Sequence, residues 1–211
     1  MSGKRWSTAV AGTVGVALAL TACGGTGEPQ RSTPSPTTRA TATTSATAGA
    51  SASSGHHDEA DVKFLQEMVP HHAQAVQMSD ILLAKSGVDD RVRALAQQIK
   101  AAQAPEIEHM NGLLHDWGEP EGQETSSHGM SGGGMSGMMS PEQMQQLRAA
   151  DGPKATLLYL QQMVQHHEGA VQMARSEMAG GENPEAKQLA QSIIDSQQAE
   201  IEHMKSLLSG L

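Results

Sequence analysis

Large aromatic side chains are nearly missing, with one Phe, one Tyr and two Trp in 211 residues. A ring-built core is excluded, and Leu, Ile, Val, Ala and Met must fill any interior. Basic residues are scarce, 14 Lys and Arg against 23 Asp and Glu, for a net charge of −9. No basic stripe forms, so nucleic acid is excluded as a partner. Cysteine occurs once, at Cys23, which rules out a disulfide within the chain. Period-two alternation is absent, which argues against sheet. No Ser-His-Asp or Cys-His nucleophile pattern and no phosphate-binding glycine loop stands out, so the sequence does not read as an enzyme.

What is present begins with an export signal over residues 1–22. Lys4 and Arg5 precede a short run, Ser7 to Leu20, of apolar and small residues. That run falls short of the about 20 strongly apolar residues of a membrane span and fits a signal peptide. Leu20-Thr21-Ala22-Cys23 resembles a bacterial lipobox, which makes Cys23 the expected lipidation site and membrane anchor. Residues 23–57 are rich in Thr, Ser, Ala, Pro and Gly. Such a stretch cannot bury enough surface to offset ordering entropy and reads as a tether. The expected location is extracytoplasmic.

Residues 58–211 contain an internal repeat, about 58–117 and 153–209. Phe64-Leu-Gln-Glu-Met-Val-Pro-His-His-Ala-Gln-Ala-Val-Gln-Met78 returns as Tyr159-Leu-Gln-Gln-Met-Val-Gln-His-His-Glu-Gly-Ala-Val-Gln-Met173. Glu106-Ile-Glu-His-Met110 returns as Glu200-Ile-Glu-His-Met204, one residue early. Each copy reads as a helical hairpin. The first has helices from Asp58 to Lys85 and from Asp89 to Trp117. The second has helices from Pro153 to Ala179 and from Pro184 onward. Ser140-Pro141-Glu142-Gln143 predicts a further short helix. Pro70 and Pro105 fall inside helices at about 3 kcal/mol each. The second copy has Gln165 and Ala199 there, so the helices are expected to continue. Two amphipathic hairpins bury their stripes against each other, giving an all-α four-helix bundle.

A helical wheel puts His72 near the centre of the apolar side of the first helix, with Met68, and His71 on its flank near Met78. His167, Met163, His166 and Met173 take the same places in the second copy. Glu106 falls in the apolar face of its helix beside Met110, with His109 at the edge; Glu200, Met204 and His203 repeat this. A carboxylate in an apolar seam is costly unless paired or coordinated. Imidazole, carboxylate and thioether together are metal-ligand chemistry, and thioethers favour Cu(I) over harder ions. Glu106 and Glu200 serve either as ligands or as acceptors orienting the imidazoles. Met at helical spacing also fills cores, and a buried His–Glu pair also fixes register. The linker 118–140 adds His128, Met130, Met135, Met138 and Met139 among glycines, a candidate capture arm. The Glu-x-x-His segments match a di-iron pattern, but His72 and His167 stand where two more carboxylates are needed.

Met68-Val-Pro-His-His-x-x-Ala-Val-x-Met78, its second copy and the two Glu-Ile-Glu-His-Met segments resemble the DUF305 family of bacterial proteins. The likeness spans about Asp58 to Leu208. It implies a ferritin-like four-helix domain and copper handling, with Met68, His71, His72, Met78, His109, Met110, Met163, His166, His167, Met173, His203 and Met204 as carried-over site residues. The expectation is a lipid-anchored copper-binding protein that buffers the ion or delivers it to a partner protein. Its rivals are a metal-free structural or interaction module and a ferritin-like metal-dependent oxidoreductase.

Overall fold

A computed structural model describes residues 55–122 and 135–211. Cys23, His128 and Met130 lie outside them, as do the signal segment and nearly all of the tether. Five helices follow in order: α1 (Glu59–Leu83), α2 (Asp90–Trp117), α3 (Pro141–Ala149), α4 (Gly152–Gly180) and α5 (Pro184–Ser209). Among the described residues there is no strand. The four long helices are the expected bundle.

The helix ends follow from local chemistry. Asp58 caps α1 in a capping box with Asp61, and Ser140 caps α3 in one with Gln143. Asp89 and Asn183, equivalent in the repeat, cap α2 and α5. Gly118 ends α2 at φ 75°, a conformation that costs a residue with a Cβ. Both interior prolines are accommodated. Pro70 leaves the Gln66 carbonyl without its helical donor. The stretch after α2 runs along α1 at this point. The Gln66 Nε2 donates to the Pro120 carbonyl at 3.0 Å, and Gly122 sits against Val69 where a Cβ would come within 2.6 Å.

Within each hairpin α1 packs on α2 and α4 on α5; α1 against α4 joins the hairpins, and α3 lies across α1 and α4. The buried apolar residues form two separate clusters. One gathers Ala75, Met78, Leu82, Ile99, Tyr159, Leu160, Met163 and Met204. The other gathers Phe64, Leu65, Met68, Met110, Leu114, Ala170 and Ile193. Truncating a fully buried Leu or Ile in either costs about 2–5 kcal/mol. Between them in every long helix lie buried polar residues: His71 and His72, Gln103, His166 and His167, Gln197. The core is two apolar halves with a polar layer across the middle.

At the ends of the bundle the two copies diverge. The Tyr159 hydroxyl lies 2.9 Å from the Ser79 hydroxyl. Their repeat equivalents are Phe64 and Ala174, both in the second cluster, where neither hydroxyl exists. Thr156 Oγ1 accepts from the Asp89 N–H at 3.3 Å. Its equivalent, Asp61, is wholly buried and accepts from the N–H groups of Asp58, Glu182 and Asn183. Beside it stands Glu177, 2% exposed, where the first copy has Leu82. Gly181 fits over the pair because a Cβ would collide with both carboxyl groups. Burial, then the Asp61 carboxylate, push Glu177 up to about 8. Burial alone would raise Asp61 too, but hydrogen bonds from Asp58, Glu177, Asn183 and Glu182 bring it below its ordinary value.

Candidate metal centre

The layer is assembled from one turn of each long helix. His72 Nε2 donates to Glu106 Oε2 at 2.8 Å, and His167 Nε2 to Glu200 Oε2 at 2.7 Å. The imidazoles are fully buried while the glutamates keep 23% and 21% of their side chains exposed, so each glutamate links the layer to solvent. One helical turn from each pair lie two thioethers, Met68 and Met110 on one side, Met163 and Met204 on the other, all fully buried. The helices of a hairpin run antiparallel, so the two Met of each copy lie at the same level. Because the copies are inverted, one Met pair faces the layer from each apolar half.

The wheel left His71 and His166 on a flank. Both are buried, and their rings meet across the α1–α4 contact with centroids 3.8 Å apart and planes tilted by 40°. A helix in a bundle meets two neighbours, so the flank turned away from α2 is the face turned toward α4. Their contact is where the two copies meet, and the remaining imidazoles lie close by, His166 and His167 with centroids 6.3 Å apart. Burial, then the neighbouring His72, hold the His71 ring down at about 3. Burial, then His71, His167 and His72, hold His166 well below its ordinary value, with only the His71 backbone opposing. Both rings are therefore neutral at pH 7.

Hydrogen bonding fixes which nitrogens remain. A carboxylate only accepts, so His72 and His167 carry a proton on Nε2. His71 Nε2 lies 3.0 Å from the Ser136 carbonyl, another pure acceptor, so it carries one as well. The Nδ1 atoms of His71, His72 and His167 are buried with no hydrogen-bond partner, and neither nitrogen of His166 has one at bonding geometry. In a neutral ring protonated at Nε2, Nδ1 is a bare lone pair. The glutamates thus stand as outer acceptors that orient imidazoles, an arrangement that raises ligand basicity. Gln103 and Gln197, repeat equivalents one turn before each glutamate, are also buried with unpartnered amide atoms. They were missed in the sequence, although their recurrence was visible there.

The other sequence candidates fall elsewhere. His109 is exposed and pairs with Glu185 at 3.0 Å; His203 is exposed. His109, Glu185 and Glu106 line a groove of about 580 Å³ between α2 and α5. Met78 is fully buried in the first apolar half, whereas Met173 is half-buried at the rim of the second. Met135 and Met138 are half-buried in the segment before α3. Met139, expected in the capture arm, is 4% exposed and belongs to the first apolar cluster. Among the described residues no group of three or more His, Cys, Asp or Glu is arranged to hold a metal ion. A ligand set here has to draw on thioethers.

Fold and layer together define a class: an all-α bundle of two inverted His-His hairpins. A family model described as a domain of unknown function, DUF305, matches residues 61–208, and the chain belongs to that family. Solved relatives agree. A DUF305 protein of Streptomyces coelicolor classed as secreted is 37% identical, with 72% of this chain and 91% of that chain covered at a TM-score of 0.63. A DUF305 fragment from Deinococcus radiodurans is 32% identical, covering 73% and 98%, at 0.65. CopM in its Cu(I)-bound form is 29% identical, covering 71% and 96%, at 0.58. No protein of curated function matches the chain.

Proposed function

We propose that this protein is an extracytoplasmic copper-binding lipoprotein. It holds Cu(I) in the buried imidazole layer and is tethered to the membrane through Cys23. The observation that carries the reading is the set of unpartnered imidazole nitrogens between two pairs of buried methionines. A buried polar atom without a partner costs about 1–3 kcal/mol. Several in one layer are a standing cost that a bound soft ion would offset. The layer's nitrogen donors and the flanking thioethers suit Cu(I), whereas zinc has no use for methionine. CopM, known with Cu(I) and Cu(II), is similar over nearly its whole length. The secreted class of the Streptomyces relative accords with an export signal. Buffering or delivery to a partner protein is the activity such a site serves.

Competition between the purified chain and a chromogenic Cu(I) chelator tests this. The expected result is tight binding that is lost when His71, His72, His166 and His167 are all changed to Ala. Equal binding by the two proteins, with the variant's helical content intact, removes the reading and leaves the layer a device that fixes register.

A further inference from the structure

We propose that Gln74 and Gly169 are positioning residues which, through the backbone segment between residues 135 and 140, choose the nitrogen that His71 presents to the layer. The proposal rests on the copper reading for its purpose, though its geometry does not.

The segment crosses the α1–α4 contact over the paired rings of His71 and His166. Three attachments hold it. Gln74 clamps Met139 from both sides, its Oε1 accepting from the Met139 N–H at 2.7 Å and its Nε2 donating to the Met139 carbonyl at 3.0 Å. Ser136 Oγ donates to Gln172 Oε1 at 2.7 Å. The Ser136 carbonyl accepts from His71 Nε2 at 3.0 Å. The approach is backbone to backbone. A Cβ on Gly169 would collide with the Ser136 carbonyl group and come within 2.6 Å of Gly137 Cα. Gly137, at φ 82°, would bring a Cβ within 2.7 Å of the Gln165 carbonyl and 2.9 Å of the His166 carbonyl. Neither side has room for any residue but glycine.

Gln74 and Gly169 are the same position in the two copies of the repeat. One copy supplies the clamp and the other the clearance, so the two differences serve a single segment. Where α1 meets α4 there is one such face, and one carbonyl on it cannot serve two imidazoles equally. It takes His71 and leaves His166 with neither nitrogen bonded. The carbonyl does for His71 what Glu106 does for His72 and Glu200 for His167: it holds the proton on Nε2 and turns a bare Nδ1 away from it.

Histidine long-range ¹H–¹⁵N spectra of the metal-free chain report the tautomer directly. Wild type should show His71 protonated at Nε2. Gly169→Ala, which forces the segment off, and Gln74→Ala, which releases the clamp in a helix-favouring way, should both give His71 a mixture of tautomers while His72 and His167 stay unchanged. Cu(I) should then bind both variants several-fold more weakly, with the same final stoichiometry. An unchanged His71 spectrum in both folded variants overturns the proposal. A changed spectrum in a chain that binds no Cu(I) upholds the positioning and refutes the copper reading separately.

Discussion

The two hairpins agree in the middle of the bundle and disagree at its ends. At the layer, the His72–Glu106 and His167–Glu200 bonds differ by 0.1 Å, and each has its methionine pair one turn away. Toward the ends, Tyr159 with Ser79 stands against Phe64 with Ala174, and Asp61 with Glu177 against Thr156 with Leu82. Packing alone does not ask for this distribution, because the apolar ends tolerate exchange provided that volume and hydrogen bonding are kept. The layer is the costlier part to build, and it is the part kept in duplicate. Where one copy gains a polar group at the ends, the same copy or its neighbour gains the partner.

The comparison is broken most strongly at the layer. Glu106→Gln and Glu200→Gln should each lower Cu(I) affinity about 10–100-fold, as loss of an outer acceptor does, and by similar factors. Competition titration of the two variants checks both points. A large loss in one and none in the other would mean that the hairpins are not equivalent as ligand donors.

Next in size are the hydroxyl partners. Ser79→Ala strands the buried Tyr159 hydroxyl and should cost about 1–3 kcal/mol in denaturant unfolding. The double change Ser79→Ala with Tyr159→Phe recreates the Phe64–Ala174 pair of the other apolar half and should recover most of that loss. Tyr159→Phe alone should cost less than Ser79→Ala, since the Ser79 hydroxyl still donates to the Ala75 carbonyl.

The remaining effects are those of pH. Glu177 has its native value raised to about 8 from an ordinary 4.5. Its contribution is therefore complete below 4.5 and lost as pH rises through about 8. Asp61 runs the other way, contributing above 3.8 and failing as pH falls through its lowered value. Glu177→Leu, the residue of the other copy, should flatten the decline in thermal midpoint between pH 5 and about 8. On the acid side His71, held down at about 3 from 6.5, contributes its full stability above 6.5 and loses it as pH falls toward 3. Melting curves across this range separate the two limbs. A Glu177→Leu protein with an unchanged alkaline slope would remove the carboxyl pair as its cause.

Much of this was legible in the sequence because a repeat shows which residues travel together. The helix limits followed from Asp58, Gly118, Ser140 and Pro184, residues whose backbone preferences act locally. The continuation of helices through Pro70 and Pro105 followed from Gln165 and Ala199 in the other copy. The His72–Glu106 pairing followed from two inward polar residues that needed each other. The central place of His71 and His166 did not follow, because a wheel drawn for one helix shows one stripe and α1 has two partners. The burial of Met139 and the grip of Gln74 on the 135–140 segment were equally hidden. Both depend on where a glycine-rich chain returns to the bundle, and Gly169 permits that return only in three dimensions.

Copper K-edge X-ray absorption of the Cu(I)-loaded chain tests the central claim most directly. Imidazole nitrogens from the layer and thioether sulfur from the buried methionines should appear together around one ion. The sulfur contribution should fall when Met68, Met110, Met163 and Met204 are changed to Leu. A shell of nitrogen and oxygen alone, unaltered by those changes, would contradict it.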